Sequence, residues 1–472
     1  MRVSARRTGP AALVLAGLLT GLVLAAAAAA SNPLLLVLLP AGLLAALFAY
    51  RSPLQAAATA LLLVPVGLVH LGGNLKAAQA LDVLVVLALA AARFLRGRTP
   101  LPLARPLFWG GVLLVVALVS TGTSLDTGLA LKQDLALAVG LALCTALVAL
   151  CTDRARWLVL VRALLAGSVL VTLPALFSSG KLQARYSGSV VSDRPVGIFS
   201  QPNELGAFSM LALLIALGLL LGATQRRDRV LAAVALLSAT GAMLVSLSRG
   251  AWIGSVVGVC CLLFWVPRAR RLVAGATVAV AVLGALLGAF APSSPQVQVV
   301  TQRLGSLTTS HQNPYDDRPR IWREALREIS ERPVLGEGPG TFPVASTRSI
   351  SAAATVQADH AHDVLLTTGA ETGLLGVAAL LALTYTCATR ARRGLSVVRR
   401  RGDALHLGVL GGLVASLGGL IGEGTVDVTL RNVVVAQTAW AALGLVLAGA
   451  ALAVQEPQAE ATACRAGVAE PS

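Results

Sequence analysis

Fourteen segments of about 20 mostly apolar residues recur along the chain, each long enough to cross a bilayer as a helix. They begin near Pro10, Pro33, Leu54, Ala77, Pro106, Asp134, Trp157, Glu204, Val230, Ala251, Leu272, His362, Ala404 and Leu430. Inside hydrocarbon no water satisfies backbone N–H and C=O groups, so such segments fold as helices packed side by side. Composition agrees: of 472 residues 56% are apolar and only 13% charged, too little polar surface to coat a water-exposed globule. The expected fold class is all-α, a polytopic membrane helix bundle of about 12 to 14 transmembrane helices. Pro10 to Ala30 follows Arg2, Arg6 and Arg7 as a secretory signal does, yet exceeds the roughly 7 to 15 residues of a signal core. An uncleaved first span is expected.

The formal net charge is +16. This need not imply nucleic acid, because membrane proteins gather basic residues at the cytoplasmic ends of their spans. With the N-terminus cytoplasmic, the arginines at 51, 93 to 105, 154 to 156, 226 to 229, 268 to 271 and 390 to 401 all fall inside. Both termini are then cytoplasmic, and the arginine clusters set sidedness; no nucleic-acid partner is expected. Cys144, Cys151, Cys260, Cys261 and Cys387 lie in apolar stretches with no disulfide or zinc spacing, and read as small packing residues.

The division expected is a transmembrane bundle over 1–291 of about 11 spans, including an external polar loop at 178–203. An extracytoplasmic loop domain over 292–361, C-terminal spans over 362–453 and a disordered cytoplasmic tail over 454–472 follow. Connections beyond about 12 to 15 residues are uncommon unless functional or disordered, so 292–361 calls for an explanation. Asp316-Asp317-Arg318-Pro319 reads as a helix start, and Ile321, Trp322, Ala325, Leu326 and Ile329 recur on one face up to Arg332-Pro333. An amphipathic helix at the outer interface is expected there, closed by a flexible turn at Gly336-Glu337-Gly338-Pro339-Gly340.

Three features share the outer side: this arginine-rich loop, a lone arginine in Ser248-Arg249-Gly250, and the histidines of Asp359-His360-Ala361-His362-Asp363. Arginine keeps its charge and presents a planar fork that matches phosphate oxygens. Histidine, with an ordinary pKa of about 6.5, can take a proton from a hydroxyl at neutral pH. Together they suit group transfer from a lipid diphosphate. The sparse outer carboxylates form no DxD-like cluster, so neither a metal nor a cofactor is expected.

The runs Arg318-Pro-Arg-Ile-Trp322-Arg-Glu-Ala-Leu, Arg332-Pro-Val-Leu-Gly336-Glu-Gly338-Pro-Gly340-Thr-Phe342, His362-Asp-Val-Leu-Leu and Glu371-Thr-Gly373-Leu-Leu-Gly376 resemble the signature region of the O-antigen ligase and O-antigen polymerase family. Gly197-Ile-Phe199-Ser-Gln-Pro202-Asn203 and Ser248-Arg249-Gly250 resemble two further family motifs in the same order. The resemblance spans Arg194 to Gly376 and implies a bacterial cytoplasmic-membrane glycosyltransferase working at the extracytoplasmic face. Such an enzyme moves a glycan from undecaprenyl diphosphate to an acceptor hydroxyl on a glycan, lipid or protein. By residue, His362 matches the family histidine proposed as base, and Arg249 and Arg318 match arginines suited to the donor diphosphate. The family usually shows His-Asn where this chain has His362-Asp363.

Asn203, ahead of a span, is explained by helix capping and is otherwise a supporting site residue; Arg320 competes with its neighbour Arg318. His360, without a motif match, reads as an exposed loop residue. Glu371 falls nine residues after His362, on the opposite side of a continuous helix, and is expected to make a structural hydrogen bond. The alternative from another class is a transporter or flippase of lipid-linked sugars or small solutes. Transporters place polar groups near the midplane of related halves, and neither is evident here.

Overall fold

The computed structural model describes residues 47–72, 75–95, 105–178, 181–186, 190–275, 278, 282, 318–349 and 359–467. The expected spans near Pro10 and Pro33, and most of the one from Leu272, lie outside the described residues. Each of the other eleven segments forms a helix, but the one from Leu54 is helical only as far as Leu62 and continues as a 3-10 turn at Val64–Val66 and a strand at His70–Gly72, too short a helix to cross a bilayer. The helices are α1 (Pro53–Leu62), α2 (Ala77–Leu95), α3 (Arg105–Thr121), α4 (Thr127–Leu150), α5 (Arg154–Ala175), α6 (Pro202–Gly222), α7 (Arg226–Ser246) and α8 (Arg249–Trp265), and then, after α9 (Arg318–Glu331) and α10 (Phe342–Ser349), α11 (Val364–Arg401), α12 (Ala404–Glu423) and α13 (Val433–Gly467). Among the described residues seven of these helices are long and apolar enough to cross a membrane, and α1, α2, α3 and α8 supply shorter apolar helices. The fold is a polytopic helical bundle.

At its centre α6 packs against α7, α8 and α12. Its sequence is apolar all round, which fits a helix surrounded by others. Lipid offers no hydrophobic drive for helices to associate, so close backbone contact through small residues does much of the work. Gly218 and Gly222 of α6 face Gly408 and Gly412 of α12, and a Cβ on Gly218 would come within 2.5 Å of the Gly412 Cα. Gly258 of α8 likewise meets the Ala415 carbonyl, where a Cβ would come within 2.8 Å.

Charge separates the two ends of the bundle. Arg154 pairs with Asp403 at 2.6 Å, and Arg162 holds Asp228 through two bonds of 2.8 and 2.9 Å. The arginines starting α5 and α7 and ending α11 thus share one end, opposite to His362. The Ser178 to Asn203 connection, expected as an irregular polar loop, instead forms an antiparallel hairpin of β3 (Lys181–Tyr186) and β4 (Val190–Pro195), besides a two-stranded ribbon of β1 (His70–Gly72) and β2 (Leu75–Lys76).

The amphipathic helix forms as α9, but its apolar face is covered by protein. Ile321 and Ala325 are buried with Phe342, Ala361 and Ala370, against the start of α11. The glycine turn is clamped rather than flexible. At Gly373 α11 breaks, with φ 69° and ψ −173°, and the carbonyls this strands are taken up by the turn. Glu337 N–H donates to Ala370 O at 2.8 Å, Gly338 N–H to Glu371 O at 2.9 Å, and Leu374 N–H to Pro333 O at 2.8 Å. Buried backbone groups must be paired, and here the partner is another loop rather than the next helical turn.

Candidate functional site

The break in α11 and the turn between α12 and α13 bring their polar residues together. Asp363 is the N-cap of α11 and accepts from Leu366 N–H at 2.9 Å. Asn caps equally well, so Asp363 in place of the family's Asn leaves the helix start intact. The carboxylate that meets the imidazole is Asp427, from the turn after α12: His362 Nδ1 lies 3.0 Å from its Oδ1. A carboxylate only accepts, so Nδ1 carries the proton and Nε2 keeps its lone pair. His362 itself holds φ at 52°, a left-handed conformation uncommon outside glycine, which aims its ring at this partner.

Asp427 is held by a relay of fixed polarity. Asn203 Nδ2 donates to its Oδ2 at 2.7 Å, and Val428 N–H donates to Oδ1 at 2.9 Å. Arg194, buried at the end of β4, donates from Nη2 to Asn203 Oδ1 at 2.7 Å and from Nε to Ser246 O at 2.7 Å. Burial alone would raise the Asp427 carboxyl, but the hydrogen bond and charge of His362, with His360 and the Val428 N–H, outweigh it and hold the pKa at about 2. Asn203 is therefore not the cap of α6. That place belongs to Gln201, whose N–H is met by Glu204 Oε2 at 3.1 Å.

Arginines stand near the pair. Arg249 begins α8, whose first turn packs on the Asp427 turn: a Cβ on Gly250 would sit 3.3 Å from both Glu423 Cγ and Val426 Cγ2. Arg318 is the half-buried first residue of α9, whereas Arg320 is exposed and points away from the bundle's interior. Burial, then His362, Arg431 and Arg318 as like charges, push His360 down to about 3 against the pull of Asp427. His360 is half-buried rather than exposed, and its Nδ1 accepts from His362 N–H at 3.2 Å. Glu371 pairs with Arg431 of the turn before α13, not with His362.

Beside this cluster lies a cavity of about 540 Å³ between α3, α4, α11, α12 and α13. Leu113, Leu380, Leu417 and Trp440 give it an apolar wall. Its charged groups are Asp134, Glu371 and Arg431, and Val364 and Val428, which line it, stand two residues from His362 and next to Asp427 in the chain. The arrangement pairs an apolar slot with a guanidinium in its lining and an imidazole with a free nitrogen beside it.

Of the residues singled out in the sequence, His362, Asn203, Arg249, Arg318, Arg320 and Glu371 all lie at this end of the bundle, Arg320 with its side chain exposed. Sequence reasoning missed Asp427, Arg431 and Arg194. An available signal was the presence of Glu423, Asp427 and Arg431 between two apolar spans, where ionisable groups are costly unless used.

Residues 233–381 match a family model described as O-antigen ligase. The resemblance carried by the motifs holds over that stretch, which takes in Arg249, Arg318, His362 and Glu371 but not Asn203, Asp427 or Arg431. No curated protein matches the chain. A solved structure described as "Structural coordination of polymerization and crosslinking by a peptidoglycan synthase complex" is similar at 22% identity, over 73% of this chain and 96% of that chain, with a TM-score of 0.39.

Proposed function

We propose that this chain, which matches the O-antigen ligase family over residues 233–381, is a glycosyltransferase that moves a glycan from a polyprenyl diphosphate to an acceptor hydroxyl at the extracytoplasmic face of a bacterial cytoplasmic membrane. The observation that carries the reading is the His362–Asp427 pair beside an apolar cavity that Arg431 lines. Asp427 keeps the proton on Nδ1, so Nε2 accepts the proton of the acceptor hydroxyl as its oxygen bonds to the anomeric carbon. The bond from that carbon to the diphosphate breaks, and the electron pair leaves with the diphosphate on its prenyl chain. Arg249, Arg318 and Arg431 meet the charge that grows there, in the place a divalent ion takes in other designs. The isoprenoid lies in the cavity. The arginine-rich ends of α5, α7 and α11 face the cytoplasm by the positive-inside rule, which turns His362 outward.

Arg431 has donors to spare beyond its bond to Glu371. Its loss removes a charge-assisted hydrogen bond of roughly 1.5 to 3 kcal/mol from the bound donor. Arg431→Ala is accordingly expected to raise KM for the lipid-linked donor about tenfold or more, with Arg431→Lys recovering part of the loss, as read by steady-state kinetics at saturating acceptor.

The test is reconstitution into vesicles carrying a labelled prenyl diphosphate glycan. The expected result is label moving to the acceptor, with one prenyl diphosphate released per transfer. Label crossing the bilayer with no bond to the acceptor would instead make the protein a transporter.

A further inference from the structure

His360, His362 and Asp427 each offer a ligand atom, and the three lie within 4.8 Å of one another. His362 Nδ1 and Asp427 Oδ1 are 3.0 Å apart, and His360 Nε2 lies 4.0 Å from the same oxygen. Ligands around a tetrahedral zinc ion sit about 3.3 Å from one another, given bonds of about 2.0 to 2.1 Å, so a small inward turn of His360 completes three corners. The fourth stays open to water, since the His362 side chain is 30% exposed. Two imidazoles with one carboxylate suit a borderline transition ion and not magnesium or calcium, which favour oxygen ligands. Arg431, which would oppose a cation, is neutralised by Glu371. Arg318 still opposes binding and keeps the affinity below that of a structural zinc site.

From this geometry we infer that His360, His362 and Asp427 form an inhibitory site for a zinc-class divalent ion. A neutral imidazole bound to metal through one nitrogen carries its proton on the other. Metal on His362 Nδ1 thus shifts the ring proton to Nε2 and occupies the lone pair that accepts the acceptor's proton. Asp427 exchanges its bond from His362 for a bond to the ion, and His360 gives up the 3.2 Å bond it accepts from His362 N–H. The ion regulates the site and takes no part in transfer. Binding stands on the geometry alone; inhibition rests on the proposed role of His362.

Purified full-length protein is titrated with Co²⁺, whose visible bands report tetrahedral coordination, and Zn²⁺ is added in competition. The wild type is expected to bind one ion, and Zn²⁺ to stop glycan transfer until a chelator restores it. His360→Asn keeps an acceptor for His362 N–H but removes a ligand. It is expected to transfer without zinc, to bind the ion at least roughly tenfold more weakly, and to need correspondingly more zinc for inhibition. As a check independent of that variant, Zn²⁺ should protect His360 and His362 of the wild type from diethyl pyrocarbonate. Absence of tetrahedral cobalt bands, or undiminished zinc sensitivity in His360→Asn, would overturn the site. Zinc bound at these residues with transfer unaffected would overturn the inhibitory role. A wild type that binds cobalt here and transfers nothing would count against the proposed function while leaving the site in place.

Discussion

Asp427→Asn is expected to cut turnover by roughly 10²- to 10⁴-fold, with KM for the donor little changed. The reason is the polarity of the relay. Asp427 accepts from Asn203 Nδ2 on one oxygen and from His362 Nδ1 and Val428 N–H on the other. An asparagine replaces one of these acceptors by an NH₂ group. Facing His362, that group donates to Nδ1, moves the ring proton to Nε2 and removes the base. Facing Asn203, it meets another donor, and Asn203 cannot turn over because its Oδ1 is held by Arg194 at 2.7 Å. Either orientation leaves a buried polar group unpaired, at about 1 to 3 kcal/mol. Steady-state kinetics separates the two effects from a general loss of fold: turnover falls while thermal melting shifts only modestly. Wild-type turnover in Asp427→Asn would mean that the carboxylate does not orient the base.

Gly373→Ala is expected to destabilise the protein by about 3 to 5 kcal/mol, from backbone strain together with overpacking. Gly373 holds a φ and ψ that side chains other than hydrogen rarely allow, and an added Cβ would overlap the Val334 carbonyl. Neither chain can give way, because Leu374 N–H is bonded to Pro333 O at 2.8 Å and the glycine turn is bonded to Ala370 and Glu371. Ser120 Oγ ties the two further, donating to Leu335 O at 2.6 Å and lying 3.0 Å from Glu371 O. Gly402 supplies the control: its φ is 74°, but nothing lies within 4 Å of an added Cβ. Gly402→Ala should cost only the left-handed conformation, about 1 to 2 kcal/mol. Melting of the purified protein in detergent measures both, and equal small shifts would show that the junction yields.

Most helices from Ala77 to Trp265 and from Val364 onward are legible because each announces itself over about 17 or more consecutive apolar residues, whereas the run from Leu54 gives only a 10-residue helix. That the arginines gather at one end of the bundle is legible for a similar reason, since those at the starts of α5 and α7 and the end of α11 fall in connections of one parity. His362, Arg249 and Arg318 could be reached through local motifs. Asp427 could not: its partner His362 stands 65 positions away, and nothing in the apolar periodicity links them. Asn203 looked like a cap because it follows a proline at a span start, yet Gln201 takes that role and frees Asn203 to bridge Arg194 and Asp427. The glycine turn looked flexible for a related reason. Positive φ at Gly336, Gly338 and Gly340 serves a fixed docking against α11, and composition alone does not distinguish a hinge from a clamp. Helical phase keeps Glu371 away from His362, and its ion pair with Arg431 depends on a turn that follows the next span.

A single-turnover experiment with purified protein, prenyl diphosphate-linked glycan and acceptor tests the imidazole most directly. The wild type should release prenyl diphosphate and form the glycosidic bond at the same rate. His362→Ala, still binding the donor, should do both more slowly by roughly 10²- to 10⁴-fold. Equal rates in the two proteins would contradict proton transfer to His362 and, with it, the account of the site.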